Sequence, residues 1–308
     1  MQKILESRIE QVHKILEQNK EEWQTTYDKE ADVILDNRNL IDQFTRSCRN
    51  IEHLQFYLTE VSTTPPSIFK IVVRYKGQPI ATIEITKDNS YITTEEYNES
   101  NKKDFEWKIQ LKDEEWNSKK TQEFIEYFKE NMQIKNKGNE QARIESVLLS
   151  EFSKTSSSTK ILTGIQPIRI GNLYHSLPIP IKSNKADTEY INILTRTRVR
   201  KLTIFEIMKE NQTEESAFTQ ATDKAVFLLN LMDSTSGDKF YKIMGYHGRK
   251  PSRLNIKVCI AIDEKSSSKL KKFEPYTIQY GVNSIEYHYM YFREDKNKIT
   301  SIKTSVNG

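Results

Sequence analysis

Cysteine is scarce in this sequence, which argues against two kinds of site. The 308 residues include two cysteines, Cys48 and Cys259, which are far apart in the chain and belong to no C-x-x-C motif or Cys/His cluster. A structural zinc site or a disulfide framework would need more cysteines in closer spacing. We therefore expect neither, and we expect the reducing environment of the cytoplasm.

Long apolar runs are also absent. No window of the sequence reaches the roughly 18 consecutive apolar residues that a membrane-spanning helix needs. The first stretch, MQKILESRIEQVHKILEQ, carries a charge every few residues and lacks the apolar core of a signal peptide. These two features predict a cytoplasmic protein without a membrane partner.

Glycine-rich loops and an excess of one charge are missing as well. The chain has 9 glycines and no Gly-rich phosphate loop, and 47 Lys and Arg residues balance 43 Asp and Glu residues to a net charge of +4. This balance excludes a histone-like polycation but permits local basic patches. No zinc-finger, RNA-recognition or basic-zipper motif is visible.

The first 60 residues have helical periodicity. Leu5, Ile9, Val12 and Leu16 form an apolar stripe at helical spacing, and Trp23 continues it. The stripe is interpreted as one face of a helix packed on its own domain, and a short coiled-coil dimer seam is the alternative.

A second pattern follows the proline-containing break at residues 62–67, which is also a candidate sub-boundary. FKIVVRYKGQPIATIEI has period two and predicts two strands joined by a turn at Lys76 and Gly77. Further on, Ser118 is the expected N-cap of a helix. Residues 1–135 are therefore predicted to be a helical and α+β module, and the polar run QIKNKGNEQ is the expected linker.

Residues 142–308 alternate between helix and strand patterns. ARIESVLLSEF and EESAFTQATDKAVFLLNLM are amphipathic helices, whereas EYINIL, LTIFEIM, LNIKVCIAID and SIEYHYMYF are typical of strands. This order predicts an α/β (α+β) domain with a mixed sheet flanked by helices.

Three polar residues stand out because their surroundings are apolar or their position is suited to a site. Glu206 lies within the strand LTIFEIM, Asn192 lies within EYINIL, and Glu145 lies early in the helix ARIESVLLSEF. Two neighbouring strands with one polar residue each, together with a carboxylate from a helix, are the arrangement of a metal-dependent phosphodiesterase. Such a site holds Mg²⁺ or Mn²⁺ through carboxylates, waters and phosphate oxygens.

This region resembles the PD-(D/E)xK nuclease superfamily. Members of that superfamily carry a pattern like I-D-I-L-A on one strand and E-L-K-D-E-N on the next, and this chain has INIL and EIMKEN. The resemblance covers residues 142–308 and extends to the preceding helix with Glu145 and to the following helix with Gln220. It implies a restriction-endonuclease-like fold and a site that acts on nucleic acid.

Two departures from the superfamily pattern point to impaired catalysis. Asn192 replaces the metal-binding aspartate, and Met208 replaces the lysine. Asparagine lacks the negative charge, and methionine cannot orient an attacking water and is a poor ligand for Mg²⁺. Two compensations are considered: a β-bulge that turns Lys209 onto the face of Glu206, and Asp187 or Glu189 in place of Asn192.

Each carboxylate also has an interpretation without function. Glu206 could be a solvent-facing residue of an edge strand. Glu145 could be placed early in its helix because the helix dipole favours negative charge there.

Two basic segments indicate where nucleic acid would bind. Neither the turn TRTRVRK nor the stretch KFYKIMGYHGRKPSRLNIK contains an acid, and the second of them is interleaved with aromatic residues. Lys and Arg attract phosphates and aromatic rings stack on bases. The candidate residues are Arg196, Arg198, Arg200, Lys201, Arg249, Lys250 and Arg253. The alternatives are a solvated turn and core aromatics beside surface lysines.

The sequence therefore predicts a nucleic-acid-binding, nuclease-like protein with impaired catalysis, acting on DNA in bacterial DNA processing or defence. One alternative is an active Mg²⁺- or Mn²⁺-dependent endonuclease that uses Glu145, Glu206 and Lys209, with Asn192 as a further metal ligand. Another is an interaction scaffold that recruits a protein partner through the N-terminal helices. A homodimer is left open.

Overall fold

The protein combines helices with mixed β-sheets, which confirms the predicted α/β (α+β) class. The computed structural model describes residues 1–47, 54–94, 111–130, 140–154, 161–162, 164–181, 189–197, 201–246, 250–265 and 274–306. In these ranges, no helix is both long enough and apolar enough to cross a bilayer.

Helices and strands are numbered along the chain. The helices in the described ranges are α1 (Gln2–Gln18), α2 (Lys20–Asp36), α3 (Arg38–Ser47), α4 (Ser118–Glu130), α5 (Glu140–Ser153), α6 (Glu214–Asp233) and α7 (Gly237–Ile243). The strands are β1 (Leu54–Val61), β2 (Ser67–Tyr75), β3 (Gln78–Thr86), β4 (Ser90–Thr94), β5 (Glu114–Glu115), β6 (Ile165–Pro167), β7 (Arg169–Ile170), β8 (Leu173–His175), β9 (Leu177–Ile179), β10 (Glu189–Ile191), β11 (Ile193–Thr197), β12 (Leu202–Ile207), β13 (Asn255–Asp263), β14 (Tyr276–Tyr280), β15 (Asn283–Asp295) and β16 (Lys298–Thr304).

The chain forms two compact units that interleave along the sequence. The major unit contains Met1–Asp28, Leu148–Ile168 and Ser176–Gly308, and the minor unit contains Lys29–Val147 and Arg169–His175. These limits differ from the expected division into residues 1–135 and 142–308. The difference arises because α1 packs against α6, and because β7 and β8 join the sheet of β1.

The minor unit is built on a seven-stranded sheet in the order β5-β4-β3-β2-β1-β8-β7. All its neighbours are antiparallel except β1 and β8, which run parallel. The predicted turn between β2 and β3 is confirmed: Lys76 and Gly77 have φ of 50° and 84°. Two consecutive positive φ angles are typical of the tight turn that matches strand twist in a hairpin.

Helix α4 of the minor unit begins with a side-chain cap from Asn117, not from Ser118 as predicted. The Oδ1 of Asn117 accepts hydrogen bonds from the backbone N–H groups of Lys119 and Lys120, at 3.1 Å each. Asparagine is as good an N-cap as serine, and the cap residue lies just outside the helix.

The major unit is built on a sheet in the order β14-β15-β13-β12-β11-β6, with β16 paired to β15. Strands β12, β13 and β15 are parallel, and the remaining pairs are antiparallel. Helix α6 covers one face, where Phe218 contacts Tyr287 with ring centroids 5.7 Å apart. On the other face Phe152 of α5 contacts Phe205 of β12, with centroids 4.8 Å apart.

Helix α1 buries its apolar stripe within the major unit. Leu5, Ile9, Val12 and Leu16 are all buried, and the helix packs along α6. Trp23 is also buried, and its ring contacts Phe227 of α6. The interpretation of this stripe as a face packed on its own domain is confirmed, so these residues are not exposed for a coiled-coil partner.

Candidate functional site

Glu206 lies in the interior of the major sheet. Its strand, β12, is flanked by β11 and β13, and all six of its residues are buried. Only 6% of the Glu206 side chain is exposed. The alternative interpretation, a solvent-facing glutamate on an edge strand, is therefore wrong.

The carboxylate of Glu206 pairs with the ammonium group of Lys224. Oε2 of Glu206 accepts a short hydrogen bond from Nζ of Lys224, whose side chain comes from α6 and is 10% exposed. A buried carboxylate is strongly unfavourable unless a positive charge or hydrogen-bond donors compensate it. The lysine supplies both, so the charge of Glu206 is balanced inside the protein.

Asn192 lies at the junction of two strands. It separates β10, which pairs with β9, from β11, which pairs with β12. The β11–β12 register places Ile193 opposite Phe205, so one further position would bring Asn192 opposite Glu206. The ladder ends at Ile193, and Asn192 is partly exposed. Asn192 and Glu206 would therefore be opposite each other if the β11–β12 pairing were extended by one residue, but the paired region ends before Asn192.

Met208 and Lys209 follow directly after β12. The backbone N–H of Met208 donates to the Ala261 oxygen at 3.0 Å, so pairing with β13 continues for one residue. The β12–β13 register is regular from Leu202 to Ile207, so the bulge considered for Lys209 is not found in this ladder. Lys209 is exposed, and its backbone N–H donates to Oε1 of Gln212 at 3.1 Å.

Glu145 belongs to the minor unit, where it has its own basic neighbour. It lies six residues into α5, one turn later than predicted, so the helix dipole does not explain its position. The residue is buried, and its Oε1 lies 3.7 Å from Nη1 of Arg74. The guanidinium of Arg74 in turn lies 4.3 Å from the centre of the Tyr57 ring. Each candidate carboxylate therefore has a cationic neighbour within its own unit.

The donor set around Glu206 does not fit Mg²⁺ or Mn²⁺. The carboxylate is bound to an ammonium group, Asn192 is neutral, and the Met208 sulfur is too soft for these hard cations. In the part of the chain that the structure describes, no group of three or more His, Cys, Asp or Glu side chains could hold a metal ion.

Two of the predicted basic residues have structural contacts. Nη1 of Arg196 donates to the Gly245 oxygen at 3.3 Å, and its guanidinium lies 5.6 Å from the centre of the Tyr246 ring. The Tyr246 ring stacks on Tyr241, with centroids 4.5 Å apart. Nζ of Lys250 donates to the backbone oxygen of Met232 near the end of α6.

The other basic candidates differ in exposure. Lys201 is partly exposed and Arg253 is exposed. Arg198, Arg200 and Arg249 lie outside the described residues. Of the two proposed substitutes for Asn192, Asp187 also lies outside them, and Glu189 is partly exposed on β10.

The sequence interpretation missed the charged residues of α6. The carboxylate of Asp223 is buried and accepts hydrogen bonds from Nε and Nη2 of Arg8, at 2.7 and 2.6 Å. The ammonium group of Lys224 donates a hydrogen bond to Glu206. A signal was present, because Lys224 lies three residues after Ala221 and four before Leu228 on the apolar stripe. A charge at a core position indicates a buried partner of opposite sign.

No protein-family model matches the chain, and no curated protein or solved structure matches it either.

Proposed function

We propose that the chain is a nucleic-acid-binding protein of the bacterial cytoplasm whose C-terminal part resembles PD-(D/E)xK nucleases but does not cleave. DNA is the proposed ligand, in an accessory role in DNA processing or defence. The ion pair between Glu206 and Lys224 is the observation that carries the proposal. An ammonium group is bound to the carboxylate that a nuclease would use to hold its metal ion.

The chemistry of the neighbouring residues supports the same conclusion. A nuclease site needs a negatively charged residue to bind its metal ion and a positively charged residue to orient its attacking water. In this chain the first position holds the neutral Asn192, and the second holds the uncharged Met208. Each such interaction with the transition state contributes on the order of 3 kcal/mol, about a hundredfold in rate. The combined loss amounts to several orders of magnitude, so binding without cleavage is the expected outcome.

The binding surface is proposed at the basic segment between β11 and β12. Arg196, at the β11 end, is held by Gly245 and Tyr246, and Lys201 lies at the β12 end. The sequence places Arg198 and Arg200 between these two ends. Four positive charges in seven residues without an acid would attract a phosphate backbone by releasing its counterions.

A cleavage assay with matched variants tests the inactive site. Plasmid, single-stranded DNA and RNA are incubated with Mg²⁺ or Mn²⁺, and binding to labelled DNA is measured in parallel by fluorescence anisotropy. The wild type is expected to bind without cutting. Cleavage by the wild type that disappears in Glu206→Ala would refute the proposal.

A restoring variant asks whether the scaffold still presents its ligand to the site. Asn192→Asp with Met208→Lys supplies the missing groups, and the same pair combined with Lys224→Met also frees the Glu206 carboxylate. Cleavage by the triple variant alone would identify the Glu206–Lys224 pair as the element that prevents metal binding. Absence of DNA binding by every variant would contradict the nucleic-acid part of the proposal.

A further inference from the structure

A second group of polar residues lies on the face of the major sheet opposite α6. On β15, Tyr287 faces α6, where its hydroxyl lies 2.9 Å from Oγ1 of Thr222. Side chains alternate along a strand, so Glu286 and His288 point to the other face. Ser305, which follows β16, joins them there. These three residues are called the His288 cluster.

Two hydrogen bonds connect the His288 cluster in series. Nε2 of His288 lies 2.9 Å from Oε1 of Glu286, and Nδ1 of His288 lies 3.0 Å from Oγ of Ser305. A carboxylate can only accept, so the proton of the neutral ring resides on Nε2. Nδ1 is then left as an acceptor for the hydroxyl proton of Ser305. The glutamate therefore fixes the tautomer in which histidine is a base towards the serine.

The surroundings of the cluster keep the imidazole neutral and the serine accessible. His288 is 2% exposed, and Ser305 is partly exposed. Burial lowers the pKa of His288, and the positive charges of Lys257 and Lys201 lower it further, against the raising effect of Glu286. Lys257 is the register partner of Glu286, and buried Cys259 is the register partner of His288.

We propose that Ser305 is a nucleophile activated by His288 and that it accepts acyl groups from small esters. The base lies within hydrogen-bond reach of the nucleophile on one side and of the orienting carboxylate on the other, which is the arrangement that activates serine in acyl transfer. The activity is distinct from nucleic-acid binding and does not depend on it.

The proposed ester hydrolysis needs only Ser305, His288 and water, and no cofactor. Oγ of Ser305 attacks the ester carbonyl while its proton moves to Nδ1 of His288, and the C–O bond of the ester then breaks. The departing alcohol takes the proton from His288 and leaves an acyl-serine. Water hydrolyses this intermediate by the reverse proton path, giving a carboxylic acid and free Ser305.

A fluorophosphonate probe tests the proposal on the full-length chain. The probe phosphonylates activated serines with release of fluoride, and mass spectrometry identifies the modified residue. We expect labelling at Ser305, its loss in Ser305→Ala, and about a hundredfold slower labelling in His288→Gln, since a positioned base contributes about that factor. Ser301→Ala on β16 is the matched control and should be labelled like the wild type. No labelling of the folded wild type, or equal labelling of wild type and Ser305→Ala, would overturn the proposal.

Glu286 acts as a positioning residue, and its effect can be separated from a structural one. In Glu286→Gln the carboxylate no longer fixes the tautomer or raises the pKa of His288. Labelling should therefore slow, and the pH of half-maximal labelling should move downwards. An unchanged pH profile would mean that Glu286 does not act through His288.

A cysteine variant keeps the test decisive if the alanine variant does not fold. In Ser305→Cys, alkylation of the new thiol by iodoacetamide should be at least tenfold faster with His288 than with His288→Gln in the same background. Peptide mapping distinguishes this thiol from Cys48 and Cys259. Equal rates in the two backgrounds would refute activation by His288.

Discussion

At the residue scale, the core of the major unit contains two ion pairs at positions where the sequence pattern indicates apolar packing. Asp223 and Lys224 are adjacent on α6, and both are buried. Adjacent helical residues point about 100° apart, so they meet different partners: Arg8 of α1 and Glu206 of β12. Removing one member of such a pair leaves an unpaired buried charge, which costs more than the pair itself contributes.

The first prediction concerns this penalty at Glu206. Lys224→Met should lower the free energy of unfolding by about 3–5 kcal/mol because the carboxylate remains buried without a partner. Adding Glu206→Gln should restore part of the loss, since a neutral amide costs less to bury. Urea denaturation measures both effects.

Lys209→Met provides the control for this experiment. Lys209 is exposed, and surface substitutions change stability by about 0.5 kcal/mol or less. A loss in Lys209→Met as large as that in Lys224→Met would show that the Glu206 pair has no special weight.

The second prediction concerns pH and His175 of β8. Burial lowers the pKa of His175 to about 4, from the value of 6.5 in an unfolded chain. Between these values the unfolded state binds a proton that the folded state does not. Stability is therefore full above pH 6.5 and declines as the pH falls towards 4, by about 2 kcal/mol, a value discounted because the residue as a whole is partly exposed.

Urea midpoints at pH 7 and pH 5 measure this dependence. His175→Gln should reduce the difference between the two midpoints, because its side chain has no proton to bind. An unchanged difference would assign the acid sensitivity to other groups.

At the element scale, periodicity predicted many helices and strands, whereas contacts distant in sequence were not predictable. The apolar stripe of α1, the β2–β3 hairpin and strand β12 all follow from local patterns of residues 1–18, 67–86 and 202–207. The interruption at Asn192 does not, because it depends on β10 pairing with β9 instead of β12. Lys224 likewise acquires its role only when α6 packs on the sheet.

The third prediction concerns the β2–β3 hairpin. Gly77 has φ of 84°, and a Cβ at this position would lie 2.0 Å from the backbone oxygen of Ala142. Gly77→Ala therefore combines backbone strain with a clash against main chain that cannot rotate away. We expect a loss of at least about 3 kcal/mol, where strain alone costs about 1–2 kcal/mol.

Gly281→Ala separates strain from clash. Gly281 also has a positive φ, 59°, but a Cβ there meets nothing within 4 Å. This variant should show the strain alone, measured by thermal unfolding. A loss equal to that of Gly77→Ala would mean that the contact with Ala142 is unimportant.

At the scale of the whole molecule, the net charge and a local basic patch contribute differently to the affinity for DNA. A net charge of +4 on 308 residues gives little general attraction to DNA, so affinity must come from a patch. The logarithm of affinity for DNA falls linearly with the logarithm of salt concentration, with a slope of about −0.9 per phosphate contact.

The fourth prediction uses this slope. Arg198→Glu with Arg200→Glu should reduce the salt slope by about 2 and weaken binding at least tenfold at low salt. Arg196 is left unchanged because it also holds Gly245 and Tyr246. Lys3→Glu with Lys14→Glu, two exposed sites on α1, makes the same change in net charge. Equal weakening in both variants would show that the net charge of the protein, and not the basic segment between β11 and β12, governs binding.

The pairing of α1 with α6 has a consequence for synthesis on the ribosome. The apolar stripe of α1 is complete by residue 16, whereas α6 begins at Glu214. At about 5–20 residues per second, the nascent chain exposes the stripe of α1 for roughly 10–40 s before its permanent partner emerges. During that interval a chaperone can bind the exposed apolar residues of α1. Slow translation of residues 19–213 would prolong the exposure of these residues. The yield of soluble protein should therefore respond to translation speed and chaperone supply more than equilibrium stability alone would suggest.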